Sequence, residues 1–140
     1  MKKPRKHITH GPEYYIQRDL VDFLEARGWL VERMVGNMFQ RGIPDLFIAH
    51  LEHGHRWIDV KVEGHYVFTK AQRIKWPIWE KNGVGIWILT AVSEEQYDRL
   101  WQPPNMRDYW NPAWDNAMDE LNGMIDDMTT NNPLEDKDKN

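Results

Sequence analysis

Two β-prone runs, residues 45–50 (Asp-Leu-Phe-Ile-Ala-His) and 56–62 (Arg-Trp-Ile-Asp-Val-Lys-Val), flank the turn-forming segment Glu52-His53-Gly54-His55. Two such runs around a short polar, Gly-containing turn predict an antiparallel hairpin. The first run opens with Asp45, directly after the tight turn Gly42-Ile43-Pro44, and the second carries Asp59 and Lys61 two residues apart. Strand side chains alternate with period 2, so Asp59 and Lys61 share a face, and Trp57 shares it with them. The hairpin brings the start of the first run beside the end of the second. Asp45, Asp59 and Lys61 are thereby expected to meet at one edge of a sheet.

The flanking sequence completes an alternating pattern. Gly11-Pro12-Glu13 reads as a helix start, with Gly as N-cap and Pro at the first helical position. Ile16, Leu20, Phe23 and Leu24 follow at helical spacing, and Gly28 closes the helix as its C′ residue. Residues 29–34 are strand-like, and 35–42, with two glycines and an asparagine, read as a loop. Thr69-Lys70-Ala71-Gln72 matches a capping box and opens a helix to about Asn82, with a kink expected at Pro77. Residues 85–90 (Gly-Ile-Trp-Ile-Leu-Thr) are almost continuously apolar, which predicts a central strand covered on both faces. Ser93 caps a short helix through Trp101. The order is therefore α-β-β-β-α-β, an α/β fold with a mixed central sheet flanked by helices, followed by a helical and irregular extension.

A chain of 140 residues suits one domain with a modest core. The expected organisation is a single domain over 1–128, with its core at about 9–91, an extension over 92–128 and an acidic tail over 129–140 too poor in apolar groups to pack. Cysteine is absent, which excludes disulfides and thiolate metal sites and fits a reducing cytoplasm. No apolar run reaches membrane-spanning length and no signal pattern opens the chain, so the expected location is cytoplasmic, with no membrane partner. The opening Met1-Lys2-Lys3-Pro4-Arg5-Lys6 reads as a basic arm. The net charge of −4 hides an asymmetry: from Asp115 onward eight acids face two lysines, so residues 1–114 carry two net positive charges. A mildly basic body is compatible with a nucleic-acid partner.

A helix acid, Pro-Asp, Asp-x-Lys and a Gln-bearing helix, in that order, resemble the PD-(D/E)xK nuclease superfamily, and within it the VRR-Nuc group of small, phage-type endonuclease domains. The resemblance rests on Glu13, Arg41-Gly42-Ile43-Pro44-Asp45, Asp59-Val60-Lys61 and Gln72, and covers roughly residues 9–91. Asp59 stands where relatives of this group often have Glu. The resemblance implies a restriction-endonuclease-like core and Mg²⁺-dependent hydrolysis of DNA phosphodiester bonds, with Mn²⁺ as substitute, by an enzyme that is either structure-selective, toward junctions or branched DNA, or nonspecific. If the cell is a virus's host, the location is the host cytoplasm. Asp45, Asp59, the Val60 carbonyl and Glu13 are then the metal ligands, hard oxygens suited to such an ion. Lys61 acts on the attacking water or the transition state, and Gln72 orients water or phosphate. Arg33, Arg41, Lys70, Arg73 and Lys75 are the candidates for contacts with the DNA backbone. Junction cleavage would call for a symmetric homodimer. The alternative is a catalytically silent module of the same fold that binds DNA or a protein.

Each of these residues also has an ordinary structural role open to it. Asp45 after Pro can cap a turn, and Asp59 with Lys61 can form a surface ion pair, which contributes only ~0–1 kcal/mol. Glu13 in a first helical turn is favoured by the helix dipole. Gln72 can serve the capping box alone. His50, His53 and His55 around one turn are explained by a polar hairpin tip as well as by a transition metal. Trp101, Trp110 and Trp114 fit a sealed core or interface, or base stacking.

Overall fold

The structure is a computed structural model in which the described residues are 10–35 and 40–115. The basic arm, residues 36–39 of the expected loop, the acidic stretch from 116 and the tail over 129–140 lie outside them. The chain divides into two compact units, residues 1–106 and 107–140. In the second, Trp110 meets Trp114 edge to face at 5.1 Å, and its indole N–H donates to Asp115 at 3.1 Å.

Unit 1 begins with α1 (Pro12–Glu25), which has Gly11 as N-cap and Pro12 at its first position. Its C-terminus closes as the sequence predicts. Gly28 adopts φ +89°, the Gly28 N–H donates to the Glu25 carbonyl, and the Trp29 N–H to the Leu24 carbonyl. That pair of bonds is a Schellman motif, which reverses the chain into the sheet.

The sheet has four strands in the order β1 (Leu30–Arg33), β2 (Leu46–His50), β3 (Gly54–Val60) and β4 (Ile86–Leu89). β1–β2 and β2–β3 are antiparallel and β3–β4 parallel, so the sheet is mixed. The hairpin register pairs Leu46 with Ile58 and His50 with Gly54. Gly54, expected within the turn, already starts β3. α2 (Lys70–Lys81) carries both halves of the Thr69–Gln72 capping box and continues through Pro77 to Lys81. Ser93 caps α3 (Glu94–Asp98), and the chain then tightens into a 3-10 turn, Arg99–Trp101, where one continuous helix was expected.

One face of the sheet buries Leu46, Ile48, Ile58, Val60 and Leu89 against Leu20 and Leu24 of α1, Trp29 and Leu100. Each such aliphatic side chain contributes about 1.5–3 kcal/mol on burial. The opposite face carries Trp57 and Asp59. There α2 packs, with Trp79 against Trp57 at a ring distance of 5.2 Å.

β4 departs from expectation by lying at the end of the described sheet. Its apolar character reflects burial of both faces: Ile86, Ile88 and Leu89 are all buried. Its outer backbone edge is satisfied by side chains instead of a fifth strand. The Asn105 amide accepts from the Ile88 N–H at 2.6 Å and donates to the Ile88 carbonyl at 3.0 Å, and Gln96 accepts from the Thr90 N–H. A covered edge of this kind cannot recruit another strand.

Candidate active site at the end of the hairpin

One step beyond the Leu46–Ile58 pair, the register sets Asp45 across from Asp59. At that point side chains take over the ladder. Asp45 Oδ2 accepts from the Val60 N–H at 2.8 Å, and Asp59 Oδ1 accepts from the Asp45 N–H at 3.2 Å. Each carboxylate thus grips the other strand, and the two acids converge because they close the hairpin's open end. The Asp45 carbonyl also accepts from the Met34 N–H at 2.8 Å, which ties β1 to the same point. A strand residue's N–H and C=O leave on one edge, so the Val60 carbonyl lies on the Asp45 side.

The Pro-Asp turn is held from behind. Gly42 adopts φ +80°, and a Cβ there would come within 2.8 Å of the Ala71 carbonyl carbon and 2.9 Å of its oxygen. The Gly42 carbonyl accepts the Trp76 indole N–H at 2.6 Å. Backbone contact with the first turn of α2 therefore requires glycine at this position. It also couples the placement of Asp45 to that of Gln72.

Lys61 is buried beside Asp59, not displayed at the surface; the two side chains are 3% and 1% exposed. Its Nζ lies 3.0 Å from Asp59 Oδ2, and it donates to the Val67 carbonyl at 2.9 Å and to Gln72 Oε1 at 3.0 Å. Three oxygens match the three donors of an ammonium. The rings of Phe68 and Trp76 lie 4.8 and 5.5 Å from Nζ, within cation–π range. The same Gln72 oxygen accepts the Thr69 N–H at 3.0 Å. Gln72 thus caps α2, as foreseen, and also holds Lys61, a role not foreseen for it. Phe68, Trp76 and the Val67 carbonyl were not anticipated. Trp76 had a visible signal, since it follows Gln72 by four residues on one helix face.

The acids destabilise one another. Burial pushes the Asp59 carboxyl well above the usual range, the Asp45 and Glu13 charges add to this, and Lys61 opposes it. Burial also raises Asp45, against the Val60 N–H and the charges of Lys61 and Arg33. As a pair they hold a proton more readily than isolated aspartates do. Partial burial and the charge of Asp45 raise Glu13, with Lys61 opposing. Glu13 remains exposed at the surface, so solvent screening makes that displacement a small term in stability. Its coupling to Asp45 and Lys61 nonetheless sets the α1 acid at the rim of this site.

Three carboxylates facing one ammonium leave two uncompensated negative charges when all are ionised. Asp59 Oδ2 makes the same point locally. Its partner is the Lys61 ammonium at 3.0 Å, and no other side-chain contact to this buried oxygen is seen among the described residues. A buried carboxylate oxygen beside a second acid, with one ammonium for three carboxylates, fits a divalent cation. Among the described residues no three His, Cys, Asp or Glu side chains converge closely enough to enclose an ion. The donor set is therefore two aspartates and a carbonyl with Glu13 at the rim, an open arrangement suited to an ion that retains waters.

The residues expected to contact DNA differ in exposure. Arg33 is exposed, donates to Gln17 at 2.7 Å and lies close enough to Asp45 to lower its pKa. Arg41 and Lys70 are exposed on the turn and at the start of α2, while Arg73 and Lys75 are half-buried farther along that helix. Two histidines of the hairpin tip join an aromatic group. His50 and His53 lie 4.3 Å apart and pack on Trp29, and His50 Nδ1 accepts the Glu52 N–H. Trp101 joins them and remains 48% exposed. No helix among the described residues is long and apolar enough to cross a membrane.

No family model and no curated protein matches the sequence. A solved structure described as a VRR_NUC domain superposes with a TM-score of 0.53 at 19% sequence identity, covering 64% of this chain and 95% of that one. The chain thus has the VRR-Nuc, restriction-endonuclease-like fold, in a mixed four-stranded sheet flanked by helices.

Proposed function

We propose that this chain is a Mg²⁺-dependent endonuclease that hydrolyses DNA phosphodiester bonds, with selectivity for branched or junction DNA. The observation that carries the reading is the reciprocal clamp of Asp45 and Asp59, closed on a buried lysine, at the end of a hairpin in this fold. Likeness of fold to a nuclease domain supports it.

Asp45, Asp59 and the Val60 carbonyl would hold the cation, with Glu13 reaching it directly or through water. Such a cation, when bound, activates water and neutralises charge on the phosphoryl oxygens. The chain's own contribution is placement. Asp45 and Asp59 are fixed by backbone N–H groups, so they enter the reaction already oriented. The Lys61 ammonium, held by Gln72 and the Val67 carbonyl, sits beside Asp59 where it can stabilise negative charge developing on the phosphate. Arg33, Arg41, Lys70, Arg73 and Lys75 would bind the strand through its phosphates.

A silent binding module has no use for an ammonium buried against a carboxylate that a second acid crowds, an arrangement that is costly without a function. Supercoiled plasmid incubated with Mg²⁺, Mn²⁺ or EDTA separates the two. Nicking with either ion and none in EDTA is expected; intact plasmid under every condition, with the protein folded, would leave only the binding module.

A further inference from the structure

The start of α1 carries aromatic rings that the fold does not use. The core takes Leu20 and Leu24 from this helix, with Ile16 and Val21 against them, and none of the rings at its start. Yet His10 stacks on Tyr14 at 3.7 Å with an interplanar angle of 18°. Tyr15, 42% exposed, stands edge-on to both, at 5.4 Å from Tyr14 and 6.3 Å from His10. Two guanidinium groups frame them: Arg33 lies 5.7 Å from the Tyr14 ring and Arg18 lies 5.1 Å from the Tyr15 ring.

This group adjoins the acidic site through α1 and β1. Tyr14 follows Glu13 in the first turn of α1. Arg33, beside Tyr14, pairs with Leu46 at the end of β1, and the next residue, Met34, donates its N–H to the Asp45 carbonyl. A strand whose phosphate met Asp45 and Asp59 would find Arg33, and the Tyr14 ring beside it, along its path. Flat rings recognise the face of a base. In a duplex both faces of each base are covered by its neighbours, and only unpaired bases present one. Cations at the margin of aromatic rings match a single strand, which alternates exposed bases with phosphates.

We infer that His10, Tyr14 and Tyr15 form a stacking subsite for an unpaired nucleobase adjoining the phosphate to be cut, with Arg18 and Arg33 on its backbone. The position of that phosphate rests on the nuclease reading, and the subsite itself does not. It gives the enzyme a physical reason to prefer DNA with a single-stranded segment beside the cleavage point.

The test is fluorescence anisotropy in EDTA, where no turnover occurs, with a labelled short oligothymidylate and a labelled blunt duplex of equal length. The wild type is expected to bind the single strand more tightly. Tyr14→Leu should weaken single-strand binding about 5- to 150-fold, the equivalent of ~1–3 kcal/mol for one stacked base, and so erase the preference. Tyr14→Phe keeps the ring and should keep the preference. His10→Ala, which lies outside the helix, should weaken it in the same direction and decides the matter if Tyr14→Leu fails to fold. Equal affinity of the wild type for both probes, or a folded Tyr14→Leu that weakens both alike or neither, overturns the inference. Plasmid nicking without a single-strand preference removes the subsite and leaves the nuclease. A preference without nicking does the reverse.

Discussion

Replacing Lys61 with Met tests the electrostatics of the site directly, since Met preserves length and apolar bulk while removing the charge. Lys61 and Asp59 are 3.0 Å apart and almost fully buried. At an effective dielectric of about 20 their attraction is on the order of 5 kcal/mol, and removing one partner of such a pair typically costs ~3–5 kcal/mol. A domain of this size has only about 5–15 kcal/mol in total, so the effect should be plain. The cost must also depend on pH. Asp59 already has a raised pKa in the folded state, and losing Lys61, which lowers it, raises it further. The folded variant therefore keeps a proton that the unfolded chain has released, and stability falls as pH rises through that window. Urea denaturation in EDTA should show the largest loss near pH 8. The loss should shrink as the pH is lowered and Asp59 becomes neutral in the variant. Adding Asp59→Asn to Lys61→Met should recover most of the stability at the higher pH. A single variant as stable as the wild type near pH 8, or a loss independent of pH, would refute this description of the site.

Other substitutions separate the parts of the assembly. Asp45→Asn keeps an acceptor for the Val60 N–H but removes a buried charge that raises Asp59, so the metal-free protein should gain on the order of 1 kcal/mol near pH 8 in thermal melts; a loss would show that the Asp45 charge stabilises the fold. Glu13→Gln should raise the Mg²⁺ concentration for half-maximal cleavage several-fold with little change in metal-free melting, and an unchanged titration would return Glu13 to a helix-dipole role. Gly42→Ala should cost about 2–5 kcal/mol, combining left-handed strain of ~1–2 kcal/mol with overpacking of ~1–3 kcal/mol against Ala71. Unchanged denaturation would mean that the turn does not rest on α2 as described.

The elements that were legible in the sequence are those whose signals are local. Gly11-Pro12 starts α1, Gly28 ends it, and Thr69–Gln72 closes its capping box, each by contacts within a few residues. The meeting of Asp45 with Asp59 was legible too, because hairpin register follows from strand alternation. Position within the sheet was not. β4 reads as central because both its faces are buried, and nothing local announces that an amide from Asn105 covers its edge. Burial of Lys61 was equally hidden, since Val67, Phe68 and Trp76 reach it from a loop and a helix face that Asp-x-Lys does not encode. The His50–His53 stack on Trp29 depends likewise on the helix-closing turn that brings Trp29 beside the hairpin tip.

The measurement closest to the central claim is the single-turnover cleavage rate of Asp45→Asn and wild type in saturating Mg²⁺, read beside their DNA affinities in EDTA. If Asp45 and Asp59 hold the ion, the isosteric change removes a charged ligand and keeps the fold. Cleavage should then fall by roughly two orders of magnitude or more, about 3 kcal/mol in the barrier, while affinity for DNA is retained or improved. A folded Asp45→Asn that cuts at the wild-type rate would contradict the account.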